Sequence, residues 1–140
     1  MRPTRAIWRV ITFRYQRERS SLGVVWRPIA DVRLRNGRHR IEAGLYIDSG
    51  ADLTMLPLQA EQALGFQQKR GEGIREIHGV SGSGVPYLIR RVQLEMDDIT
   101  VQMRVAWALI EEVPFLLGRL DIFRRFEIVF REANRTITFQ

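Results

Sequence analysis

From Pro28 onward, apolar and polar positions alternate in short runs. Ile29, Ala30, Val32 and Leu34 lead into Arg35-Asn36-Gly37-Arg38, and Ile41, Ala43, Leu45 and Ile47 follow at strict alternation. A period of two marks a strand with one buried face. Asn-Gly supplies the two positive-φ residues of a type I′ turn, so residues 28–47 are expected to form a hairpin. Upstream, Ile7, Arg9, Ile11, Phe13 and Tyr15 alternate with Trp8, Val10, Thr12, Arg14 and Gln16. Apolar residues in both sets favour a strand over a helix. The polar stretch Gln16 to Ser21 reads as a linker.

Downstream, Pro57 near the start and Gly65 just past the end bracket a short helix. Ile74 to Ile77 and Val85 to Leu94 are expected strands flanking the Gly/Ser-rich segment Gly79 to Gly84. A turn at Asp97-Asp98 leads to a strand from Ile99 to Ala108, with Ile99, Val101, Met103, Val105 and Trp107 on one face. Phe115 to Phe126 suits a strand end plus a helix. Phe126 to Arg131 and Thr136 to Phe139 form a last hairpin about Ala133-Asn134. Short strands, regular turns and one or two short helices predict a mainly β, closed domain.

At 140 residues the chain has the size of one ordinary domain. With no cysteine, disulfides, thiolate nucleophiles and cysteine-based zinc sites are excluded. The net charge of +6 is uneven: residues 1–40 carry 11 Arg against Glu18 and Asp31, whereas residues 41–140 carry 11 basic and 14 acidic side chains. Residues 1–20 are set apart as a basic arm or an extra strand, and residues 21–140 as the domain. Such an arm can meet nucleic acid or an anionic membrane, although a solvated strand face is the simpler and favoured explanation of the charge. The longest uninterrupted apolar run, Val105 to Ile110, is far short of the ~20 residues of a membrane span. With no recognisable signal peptide, a cytoplasmic protein is the expectation.

The chemistry lies in Leu45-Tyr46-Ile47-Asp48-Ser49-Gly50-Ala51-Asp52. An apolar strand delivers Asp48 at its end. Ser49 can lock the local backbone, and Gly50 lets the chain turn beside the carboxylate without a Cβ clash. Asp, Ser and Gly are also ordinary turn residues, so the tripeptide alone distinguishes little. A second motif changes that: Pro114-Phe115-Leu116-Leu117-Gly118-Arg119 follows some way on, with the Gly79–Gly84 tip between the two.

This order of motifs over about residues 25–140 resembles the retropepsin family of aspartic proteases, and the Leu-Gly-Phe ending of the Pro57 helix resembles their bacterial members. The resemblance implies a closed, homodimeric retropepsin-like β-barrel without metal or cofactor. In such enzymes two carboxylates share a proton around one water. This chain has a single Asp-Ser-Gly, so the second carboxylate is expected to be Asp48 of another subunit. The resemblance makes Asp48 catalytic, with Ser49 bonding across the dimer and Gly50 and Ala51 lining the cleft. It implies an Asp52–Arg119 ion pair, and Leu116, Leu117 and Gly118 packed beneath the catalytic loop. His78, Gly79, Val80, Ser81, Gly82, Ser83, Gly84 and Val85, with the strand on to Tyr87, become a flap over an extended peptide.

The function expected is an aspartic endopeptidase. The alternative is a retropepsin-fold dimer that binds peptides or organises partners without turnover. His39 and His78 are isolated and make no metal site. Trp8, Trp26 and Trp107 read as packing residues, and Gly79–Gly84 lacks the Gly-Lys-Ser/Thr and following helix of a phosphate loop.

Overall fold

The fold was analysed in a computed structural model that describes residues 10–78 and 84–140. Strands β1 (Ile11–Arg14), β2 (Gln16–Ser20), β3 (Gly23–Arg27), β4 (Ile29–Asn36), β5 (His39–Ile47) and β6 (Thr54–Leu56) precede one helix, α1 (Ala60–Leu64). Six strands follow it: β7 (Arg75–His78), β8 (Gly84–Met96), β9 (Ile99–Ala108), β10 (Leu116–Leu117), β11 (Ile128–Arg131) and β12 (Thr136–Phe139). The largest sheet runs β4-β5-β10-β6-β9-β8-β7. Its two arms meet where β4 pairs with β8, Arg33 opposite Glu95 and Arg35 opposite Gln93, which closes β4 to β8 into a barrel and leaves β7 outside. The expected mainly β, closed architecture is the one formed.

Alternation dictates what fills the barrel. Leu45 and Ile47 of β5, Val32 and Leu34 of β4, and Val101, Met103, Val105 and Trp107 of β9 all point inward and are buried. Trp107 keeps its indole N–H satisfied by donating to the Leu58 carbonyl (3.1 Å) and packs against Phe66. On the opposite strand, Arg90 lies 5.3 Å from the Trp107 ring and holds Glu72 at 2.6 Å, tying residues 67–72 to the barrel wall. Ordinary packing and ion pairing thus account for these residues.

The β4–β5 hairpin forms as expected, but its turn differs. Asn36 pairs with His39, so Gly37 and Arg38 are the central residues, and only Gly37 has a positive φ, 64°. That is the pattern of a type II′ turn with Gly at the first central position. Asn36 is used elsewhere: its side-chain amide donates to the Leu64 carbonyl at 2.7 Å, capping the end of α1. Gly65 ends the helix at φ 67°, against the His39 ring. His39 is therefore a packing residue.

Two further expectations are corrected. Gln16–Ser20 is a strand, paired with β3 in a separate two-stranded sheet, and not a linker. Its polar residues concealed the alternation, because neither face is buried deeply enough to require apolar side chains. After β10 there is no regular helix. Residues 119–125 form turns, broken where Asp121 takes φ 70°. The Asp121 carboxylate is pulled aside to accept from the backbone N–H and guanidinium of Arg104, at 2.8–3.0 Å.

A third sheet, β1-β12-β11, joins Ile11–Arg14 to the closing hairpin, with Ile11 opposite Phe139. Phe13 and Phe126 both meet Phe139 edge-on, at centroid distances of 5.8 and 5.6 Å. Among the described residues, no helix is long and apolar enough to cross a membrane.

Candidate active site

The inward alternation of Leu45 and Ile47 brings β5 out of the barrel at Asp48. The short strand β10 lies between β5 and β6, parallel to the first and antiparallel to the second. Leu116 pairs with both Tyr46 and Met55, and Leu117 with Ile47. The Asp48 N–H donates to the Leu117 carbonyl at 3.0 Å, so the residue is fixed at its backbone just where the strand ends. Its carboxylate Oδ1 accepts the Gly50 N–H at 2.9 Å, and the Ala51 N–H returns to the Asp48 carbonyl at 3.2 Å. A tight turn thus presents an exposed carboxylate with a defined orientation.

Beneath this turn two segments cross in contact. A Cβ on Gly118 would sit 2.4 Å from the carbonyl carbon and oxygen of Leu53 and 2.9 Å from the Ala51 oxygen. Only glycine fits there, and the Leu116-Leu117-Gly118-Arg119 motif supplies it. The buried Gly118 N–H donates to the hydroxyl of Thr54, itself fully buried (3.0 Å). The Arg119 and Leu120 amides then donate to the carbonyls of Ala51 and Asp52, at 2.8 and 2.9 Å.

The two sequence motifs are therefore joined by backbone hydrogen bonds on both sides of the crossing. The expected Asp52–Arg119 ion pair does not form within the chain. Arg119 extends toward the Ser49 carbonyl (3.4 Å) and over the Phe123 ring, and both residues border a shared surface recess.

A cleft of about 380 Å³ opens beside the turn. Gly50, Ala51, Asp52, Leu53, Met55 and Leu116 form its floor, and Ile77, His78 and Tyr87 its opposite wall. Leu117 is buried beneath. His78 Nε2 lies 3.3 Å from Glu76 Oε1, and Gly84 fits closely against both side chains. His78 begins the expected flap; Gly84 and Val85 return from it. Gly79, Val80, Ser81, Gly82 and Ser83 lie outside the described residues.

Thr54, Met55 and Ile77 were not singled out from sequence, whereas Tyr87 was expected as the end of the flap. Thr54 did carry a signal, a hydroxyl within the otherwise apolar Leu53–Leu56 run.

On the outer side of β5, the Tyr46 hydroxyl donates to Glu18, which also accepts from Arg27 Nε at 2.8 Å. The bond to Tyr46, followed by that to Arg27, lowers the Glu18 pKa. The bond to Glu18, followed by burial, raises that of Tyr46. Asp121 is held down at about 2, first by its bonds to Arg104. That carboxylate is committed to the fold, and the sequence holds one Asp-Ser-Gly, at 48–50. Among the described residues, no cluster of three or more His, Asp or Glu groups is arranged to hold a metal ion.

No protein-family model matches the sequence, and no curated protein matches it significantly. Solved structures do. A retropepsin-like aspartic protease from Rickettsia conorii superposes with a TM-score of 0.63 at 16% identity, covering 94% of this chain and 98% of that one. EIAV protease in an inhibitor complex gives a TM-score of 0.55 at 24% identity, over 71% of this chain and 86% of its own. The closed barrel, the crossing of the two motifs and these superpositions agree: the chain has the fold of the retropepsin-like aspartic proteases.

Proposed function

We propose that the protein is an aspartic endopeptidase that works as a homodimer, with Asp48 from each protomer forming the catalytic pair. The reading rests on the Asp48 turn: one exposed carboxylate that accepts the Gly50 N–H, on a residue whose own backbone N–H donates to the Leu117 carbonyl, beside a cleft with an apolar floor. A lone carboxylate in water is a weak base. Two facing each other share one proton, because both cannot ionise readily at close range, and the pair then holds an acid and a base at the same pH.

The ionised member removes a proton from a water as its oxygen attacks the peptide carbonyl. The protonated member gives its proton to the carbonyl oxygen as negative charge develops there, so the tetrahedral species is a neutral gem-diol. On its collapse the C–N bond breaks, the amine leaves with the proton taken from the water, one diol hydroxyl returns its proton to the pair as the C=O of the acid product forms, and the pair is left with one shared proton. Ser49, exposed beside Asp48, is the residue to bond across the two-fold axis. The peptide lies extended between the floor and the wall that begins at Ile77 and His78.

Asp48→Asn tests this. Among the described residues the carboxylate makes one bond, through Oδ1 to the Gly50 N–H, which an amide oxygen can also accept, so the variant should fold. It should lose cleavage of unstructured peptides by at least about 10³-fold, a loss in the range that general acid–base groups contribute. A folded variant with undiminished cleavage would overturn the assignment.

A further inference from the structure

β2 and β3 pair with each other, and among the described residues no other strand joins their sheet. A two-stranded hairpin is marginal in water unless something covers it. Among the described residues, its side-chain anchors lie toward the root: Gln16 Nε2 donates to Asp31 Oδ1 (3.1 Å), Glu18 accepts from Tyr46, and Arg135 stacks over Trp26 at 4.2 Å. Toward the tip the side chains are open. Leu22 is 91% exposed and Val24 47%. The turn does not need the Leu22 side chain, because Ser20 Oγ accepts the Leu22 N–H (3.1 Å) and donates to the Gly23 carbonyl (3.0 Å), and Gly23 supplies φ 98°.

The hairpin leaves the barrel at the catalytic end. The Pro28 carbonyl accepts the Ile47 N–H at 2.9 Å, so Arg27 and β3 lie past the last residue of β5, where Asp48 begins. From Arg27, the five steps to Leu22 span about 16 Å of extended strand. The site at this end holds one Asp48 and is incomplete without a second copy. The face beside the hairpin is thus the face that must meet the partner.

We infer that the β2–β3 hairpin is a dimerisation arm, the Leu22 tip of each protomer packing on the other beside the paired Asp48 turns. The inference rests on the dimeric reading above. In an isologous pair both arms are used, so each dimer covers two Leu22 and two Val24 side chains.

The test compares the full-length wild type with Leu22→Asp/Val24→Asp by sedimentation equilibrium. Both positions are exposed, and circular dichroism at equal concentration verifies the fold. The dimer Kd should rise at least about 100-fold, because two leucines per dimer lose their apolar cover. An unchanged Kd overturns the arm and leaves the Asp48 dimer standing. A wild-type chain that stays monomeric at every concentration overturns both.

Since the chain contains no cysteine, Leu22→Cys can carry a single polarity-sensitive fluorophore. Its emission should shift to the blue with the same concentration dependence as dimerisation. A shift produced only by phosphatidylserine vesicles would assign the tip to a membrane and overturn the inference.

Discussion

Replacing Thr54 by valine removes one hydroxyl from the point where the two motifs cross, and almost nothing else. Thr54 is fully buried, and its Oγ1 accepts the Gly118 N–H at 3.0 Å. Valine keeps the volume and leaves that buried donor without a partner. The unsatisfied group costs about 1–3 kcal/mol, and the extra buried methyl offsets roughly 0.8 kcal/mol. A net loss of about 0.2–2.2 kcal/mol results.

At about 2.1 cal/mol/K of unfolding entropy per residue, 140 residues give roughly 0.3 kcal/mol/K. The melting temperature should then fall by about 1–7 °C. Calorimetry at equal protein concentration measures this, because association itself shifts the midpoint. Hydrogen exchange supplies the local reading: the Gly118 amide should lose protection beyond the global change. A midpoint within one degree of wild type, with Gly118 still protected, would refute the reasoning.

Gly118→Ala should be harsher. Its Cβ lies about 1 Å inside ordinary contact with the Leu53 backbone, which cannot rotate away, and about 3 kcal/mol or more of stability should be lost; an unchanged urea midpoint would contradict this. Asp121→Asn should flatten the acid limb of the stability curve. Asp121 is depressed to about 2 from an ordinary value of 3.8, so its stabilisation is complete above about pH 4 and is lost as the pH falls toward 2. Melting curves for wild type and variant that stay parallel through that window would show that the Arg104 clamp contributes nothing.

Much of this architecture was legible from residue patterns. The apolar pattern from Ile29 to Leu34 and the strict alternation from Ile41 to Ile47 identified β4 and β5, and the apolar face from Ile99 to Trp107 identified β9. The two motifs pointed to the barrel because glycine at 118 answers a contact across the fold, with Leu53, that no local pattern explains.

Other features were hidden for physical reasons. β2 contains Gln, Arg and Glu, and a strand whose faces are both partly wet has no hydrophobic period to read. The segment after Arg119 has helix-forming residues, but Asp121 serves Arg104, seventeen residues back, and a tertiary bond outweighs local propensity. The position of Arg119 likewise depends on where Phe123 and the Ser49 carbonyl fall in space.

The β1–β12 pairing has a consequence for how the molecule is assembled. Ile11 opposite Phe139 closes a loop through nearly the whole domain, so this sheet is complete only after the barrel has brought its ends together. The chain order is, in effect, one cut through a nearly circular path. Joining Phe139 to Ile11 by a short linker in place of residues 1–9 and reopening the chain at the Gly37-Arg38 turn should retain the fold while converting this long-range closure into a local hairpin.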